Sequence, residues 1–328
     1  MTRHRMPVVG VVAVMLLLAA CAAPTRVQVP YRWSYVETRL DPFWWVDLVD
    51  VPGARAIAGA GAGTSVAIVG TGVLKGHEDL PTVVPGESTC GTSPSDTEDN
   101  KNGHGTQLAG IAVGRDPGAA TRGVAPGAAL IPIKVDCGVV SAAALQKGVD
   151  AAIARKPDVI LIAIGGYPSG APDVSTFMAD RVARNREVLF VVASVWDGTA
   201  YAYPAWTQAD NALLVAAMTF DAEAGARDRV DRTREIPYGK RRGQIWAPGR
   251  SVGTADIALE PKSGKHDQFL MHGTSPAAAI VAGCAALVKG KTRGDGVALK
   301  NALISNAQVK ADLGMSDNRR LDCARAVR

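Results

Sequence analysis

His272-Gly273-Thr274-Ser275-Pro276 runs directly into Ala277-Ala278-Ala279-Ile280-Val281-Ala282-Gly283, and the reading of this stretch decides the fold. Pro276 suits the first turn of a helix and the small apolar residues after it continue one, so Ser275 falls at a helix N-terminus. Unpaired backbone N–H groups there stabilise a developing oxyanion, which makes Ser275 a candidate nucleophile. Taken alone, the same serine is an ordinary helix N-cap. A second stretch, Asn102-Gly103-His104-Gly105-Thr106, sets an imidazole between two glycines at the start of another apolar helix, with little steric cover. His104 can take a proton near neutral pH and is a candidate general base; taken alone, it is a loop histidine.

Outward from these two points, short β-branched runs alternate with Ala-rich stretches. Strands are predicted at 65–69, 130–135, 158–164, 188–193 and 213–217, and helices at 106–113, 142–155, 174–185 and 276–289. Continuous apolar strands separated by helices predict an α/β fold in three layers, a mainly parallel buried sheet with helices on both faces. The chain has 328 residues, 47% of them apolar, which is ample for a sizeable core. Residues 22 to about 60 read as a lead-in that ends in a flexible Ala/Gly stretch at 58–63.

Basic residues Arg3 and Arg5 precede a short apolar run, too short to span a bilayer comfortably, so residues 1–20 read as a signal peptide. The run ends in Leu18-Ala19-Ala20-Cys21, which resembles the lipobox of bacterial lipoproteins and implies a lipidated Cys21 that anchors the chain to a membrane outside the cytoplasm. Ala22 follows the cysteine, which in a Gram-negative source favours the outer membrane. Residues 21–40 are then anchor and linker, and 41–328 the folded domain. Removing Arg3 and Arg5 takes the net charge from +5 to +3, which predicts no nucleic-acid partner. Cys90, Cys137, Cys284 and Cys323 form an even set in an oxidising compartment, so two disulfides are expected, with three pairings open.

Together the two glycine-flanked motifs, about 170 residues apart, resemble those of the subtilisin-like serine proteases, the subtilases. Thr64–Leu80 looks like that family's first core strand with its catalytic-Asp segment, Gly123-Val124-Ala125-Pro126 like the turn before a core strand, and residues 160–166 like the strand that lines the substrate groove. Tyr203-Pro204-Ala205, Ala247-Pro248-Gly249 and Arg320-Leu321-Asp322 follow in family order. The resemblance implies acyl transfer, with Ser275 as nucleophile, His104 as base, an Asp orienting the imidazole and an Asn donating to the oxyanion. It also favours the pairs Cys90–Cys137 and Cys284–Cys323, whose segments the fold would bring near one another.

Two of those four groups are missing. Gly70-Thr71-Gly72 stands where the family has Asp-Thr-Gly or Asp-Ser-Gly, and Ser194-Val195-Trp196-Asp197 puts Trp196 in the place of the oxyanion Asn. Ala163 replaces a groove serine, Gln107 a second histidine, and Pro276-Ala277-Ala278-Ala279-Ile280 departs from the family's continuation after the nucleophile. In subtilisin, loss of the triad acid costs about 10⁴-fold in rate and loss of an oxyanion donor about 10²–10³-fold. The short span between Cys21 and Asp41 also leaves out a folded inhibitory propeptide. An inactive or strongly impaired protease homologue is therefore expected, a monomer that holds an extended peptide or protein against the strand ending at Gly165 and Gly166, with Tyr167 and Trp196 as aromatic contacts. The alternative is an active endopeptidase with a rearranged site, in which Asp79, Asp136 or Asp197 reaches His104; Asp79 reads as a solvated loop carboxylate. No cofactor and no metal site are expected, and the acidic stretch Asp96-Thr97-Glu98-Asp99-Asn100 reads as a solvated loop and not a calcium site.

Overall fold

The computed structural model describes residues 42–91, 93–99, 103–115, 122–164, 172–194, 205–221, 231–237, 243–259, 266–310 and 318–328. Its elements begin with α1 (Trp44–Leu48), α2 (Val51–Ala58), β1 (Ser65–Gly70), β2 (Glu87–Ser88), α3 (His104–Val113) and β3 (Ala129–Lys134). There follow α4 (Ala142–Ala154), β4 (Val159–Ile162), α5 (Pro172–Arg184), β5 (Leu189–Ala193), β6 (Ala212–Asp221) and β7 (Asp231–Pro237). The chain closes with β8 (Ile245–Pro248), β9 (Val252–Leu259), β10 (His266–Met271), α6 (Thr274–Thr292), α7 (Gly296–Ser305), β11 (Gln308–Val309), β12 (Arg319–Arg320) and α8 (Cys323–Ala326).

Runs such as Val159–Ile162 and Leu189–Ala193 have no polar face, and they become strands buried on both sides. The main sheet has the order β11-β12-β8-β6-β5-β4-β1-β3-β2, with β7 added antiparallel to β6. From β2 through β8 along that order every neighbouring pair is parallel. Strand alternation divides the core in two. Val66, Ile68, Val159, Leu161, Leu189, Val191 and Leu213 face a cluster completed by α3 and α6. Ala67, Val69, Ile160, Ile162, Phe190, Val192 and Leu214 face a second cluster built by Leu145 and Val149 of α4 and Met178 and Val182 of α5. This is the three-layer α/β arrangement expected, with each strand close to its predicted position.

α6 threads the first layer and is apolar on nearly every side, as a helix surrounded by protein must be. Gly283 lets it lie against α3: a Cβ there would come within 2.6 Å of both the Ala112 carbonyl and the Val124 Cβ. Among the described residues no helix is long and apolar enough to cross a membrane.

One expectation is corrected. Residues 42–60 are more than a lead-in, because α1 and α2 are part of the core. Trp45 is fully buried, Asp50 caps α2 by accepting from Gly53 N at 2.9 Å, and the Leu48 and Val49 carbonyls accept from Arg320 and from Cys323 N. The Ala/Gly stretch is pinned as well, Ala60 O accepting from Gly127 N at 2.7 Å. Both favoured disulfides are present, Cys90–Cys137 with Cα atoms 5.5 Å apart and Cys284–Cys323 with 5.6 Å.

Candidate active site

Ligands of open parallel sheets gather beyond the carboxyl ends of the strands, and those predicted residues that the structure describes collect there. β1 ends at Gly70, β4 leads straight to buried Ala163, and β5 ends one residue before Ser194. α6 begins beside β5 because the Thr274 hydroxyl donates to the Ser194 carbonyl. Ser275 is therefore the second residue of that helix, partly buried, in a first turn whose backbone N–H groups point outward. Gly273 is the N-cap residue, so Ser275 is not a cap. Among the described residues none hydrogen-bonds its hydroxyl.

His104 opens α3 next to the end of β1. Gly105 N donates to Thr71 Oγ1 at 2.8 Å, and a Cβ on Gly105 would collide with the Gly72 carbonyl, so only glycine permits so close an approach. The helix start is stitched down by Asp99, 2% exposed. Its Oδ1 accepts from Gly103 N at 3.0 Å, and its Oδ2 from the Thr71 hydroxyl at 3.0 Å, the Thr106 hydroxyl at 3.1 Å and Thr106 N at 3.2 Å. The acidic stretch is thus not a solvated loop at this position: Asp99 is a buried capping group, and Asp79, 4% exposed, is buried too. Sequence reasoning missed the role of Asp99, although an Asp shortly before a helix start is a capping signal.

The imidazole of His104 has more cover than expected. Burial pushes its pKa below the ordinary histidine value, against the opposing charges of Asp99 and, more weakly, Asp136. At neutral pH the ring is a neutral proton acceptor. Among the described residues none hydrogen-bonds it, so no carboxylate there fixes its tautomer. A Cβ built on Gly70 meets no atom of the described residues within 4 Å, and the residue has an ordinary strand conformation and not a glycine-only one.

A sequence model of the subtilase family matches residues 61–320. The chain belongs to the subtilases. Subtilisin Savinase of Lederbergia lenta is 31% identical to it over 278 residues, which cover 82% of this chain and 89% of that protein. The alkaline protease of Alkalihalobacillus alcalophilus is also 31% identical over 82% of the chain, which matches 63% of the length of that protein. Among solved structures, the MycP3 protease from the type VII (ESX-3) secretion system has the same fold, with a TM-score of 0.65 at 22% identity and 88% of each chain covered.

Within this subtilase frame, Ser275 and His104 occupy helix starts on the same edge of the sheet, and Gly70 ends β1. Cys21, Gly165, Gly166, Tyr167, Trp196 and Asp197 lie outside the described residues. Gln107 reaches the Asp256 carboxylate at 3.4 Å. Among the described residues no group of three or more His, Cys, Asp or Glu side chains could hold a metal ion.

Proposed function

We propose that this subtilase is a lipid-anchored protein outside the cytoplasm that holds an extended peptide in its groove, as a monomer without metal or cofactor, and turns it over little or not at all. The observation that carries this reading is the position beyond Gly70, which no described atom fills, behind an imidazole that no described residue hydrogen-bonds. A neutral but unoriented base activates a serine poorly, and Trp196 stands where an oxyanion donor belongs. The location rests on the basic and apolar residues 1–20, on Cys21, and on two disulfides of the kind that persist in oxidising compartments. Peptide binding rests on the chain that leaves β4 at Ala163 and runs on to Gly165 and Gly166, where an extended ligand would add by main-chain pairing.

A second reading, an endopeptidase of narrow specificity, is favoured by a Ser275 hydroxyl that no described residue bonds and by the neutral His104. Fluorescein-labelled casein separates the two. Titrating the full chain into it is expected to raise the fluorescence anisotropy without producing new casein N-termini, and Gly166→Trp is expected to abolish the rise. Casein fragments that disappear in both His104→Ala and Ser275→Ala would establish the second reading instead.

A further inference from the structure

We propose that the Cys90–Cys137 disulfide is a redox-sensitive latch on the loop that carries Asp99, opened by a dithiol reductant while the buried Cys284–Cys323 pair stays closed. The inference concerns the start of α3 and holds whether turnover is absent or merely slow.

The two disulfides differ in where they lie. Cys284 of α6 and Cys323 of α8 are both fully buried, so a reductant reaches them only after the core opens. Cys90 is half-buried and Cys137 is exposed, in a bend past the end of β3. Its neighbours Gly138 and Val139 are exposed as well, and Asp136 Oδ1 accepts from Gly138 N at 2.8 Å to hold the bend in shape. Exposed disulfides are the ones that exchange readily; buried ones resist.

The loop from Cys90 to Asp99 hangs between two anchors. At the near end Thr89 N donates to the Lys134 carbonyl at 2.8 Å, and Cys90 is bonded to Cys137. At the far end the Thr97 carbonyl accepts from Val73 N at 2.9 Å and the Glu98 carbonyl from the Lys134 ammonium at 2.6 Å, while Asp99 pins the start of α3 through Gly103 N and Thr106 N. Residues 91 and 93–96 between the anchors are exposed. Their hydrogen bonds to described residues outside the loop are those of the Pro94 carbonyl with Ser88 N and of the Ser95 carbonyl with the exposed Lys75 ammonium. The disulfide joins residues 47 apart in sequence, and opening it returns to this loop the freedom that the ring removes. The Asp99 anchor of the His104 helix then bears the loop's motion.

In the opening step a thiolate of the reductant attacks Sγ of Cys137, forming a mixed disulfide as the Sγ–Sγ bond breaks and Cys90 leaves as a thiolate. The reductant's second thiolate attacks the reductant sulfur of that mixed disulfide and releases Cys137. Two electrons pass to the cysteines, which take up two protons, and the reductant ends as a cyclic disulfide.

The test treats the full chain, solubilised in detergent and never unfolded, with dithiothreitol and then iodoacetamide, and maps the alkylated cysteines by mass spectrometry. Cys90 and Cys137 are expected to be alkylated about tenfold faster or more than Cys284 and Cys323. Amide hydrogen exchange in the peptide spanning 103–113 is expected to speed up about tenfold once the pair is open, with peptides of β4 and α6 unchanged, and to slow again on re-oxidation with oxidised glutathione. The double variant Cys90→Ser, Cys137→Ser is expected to show the fast exchange without reductant and to ignore dithiothreitol. Alkylation of all four cysteines at one rate, or of none in the folded chain, overturns the proposal. Selective opening that leaves exchange at 103–113 unchanged, or raises it equally in every peptide, overturns it too.

Discussion

Gly70→Asp should return reactivity to Ser275. The backbone at residue 70 is that of a strand end, and the first side-chain atom meets nothing described within 4 Å, so the substitution requires no rearrangement there. In subtilisin, loss of the acid alone costs about 3 × 10⁴-fold in kcat, or about 6 kcal/mol at 1.36 kcal/mol per tenfold. The full amount is not expected back. A carboxylate at 70 would sit near Asp99 and Asp136, whose charges oppose its ionisation, and the proposed loss of the oxyanion donor at Trp196 would remain. A gain of about 10²–10³-fold, or about 3–4 kcal/mol, is what these opposing effects leave. Intact-mass measurement of the rate of fluorophosphonate attachment, with Gly70→Ala and Ser275→Ala as controls, reads the gain. A Gly70→Asp protein that melts like the wild type yet gains less than about threefold would refute the claim that the missing acid limits this site.

Three further outcomes are expected. Trp196→Asn, added to Gly70→Asp, should accelerate labelling by about a further 10²-fold, since one oxyanion donor is worth about 10²–10³. Stability should depend on pH through His104: burial lowers its folded pKa below the unfolded value of about 6.5, so the unfolded chain takes the proton first. The stability this protects is complete above about pH 6.5 and is lost as pH falls towards the folded pKa, and urea unfolding at pH 7.5 and 5.5 should show a difference that shrinks in His104→Gln. Asp99→Ala should destabilise the protein by about 3 kcal/mol by stranding the buried Gly103 and Thr106 amides, seen as a melting point lower by about 6 °C or more.

The core strands were legible because nothing competes with a two-sided apolar reading in runs such as Val159–Ile162, and α6 because its small residues run unbroken from Ala277. The first helices were not. Pro52 and Gly53 give no helix signal by their pattern, yet proline fits a first helical turn, and the Asp50 cap shows only once the turn is folded. At the site, the helix starts at His104 and Ser275 were legible from their Gly-flanked motifs, and the structure puts both residues in the first turn of an α-helix. Asp99 could not be separated from its exposed acidic neighbours, since Thr71, one of the groups it binds, is 28 residues away. The placement of Asp136 beside Gly70 follows from strand register, which a local pattern does not carry.

Cleavage of one fluorogenic peptide by this chain and by Subtilisin Savinase, compared as kcat/KM in the same buffer, tests the central claim most directly. The proposed loss of the acid at Gly70 and of the oxyanion donor at Trp196 predicts a value at least 10⁴-fold below that of Savinase. A value within tenfold of Savinase, lost on Ser275→Ala, would contradict it.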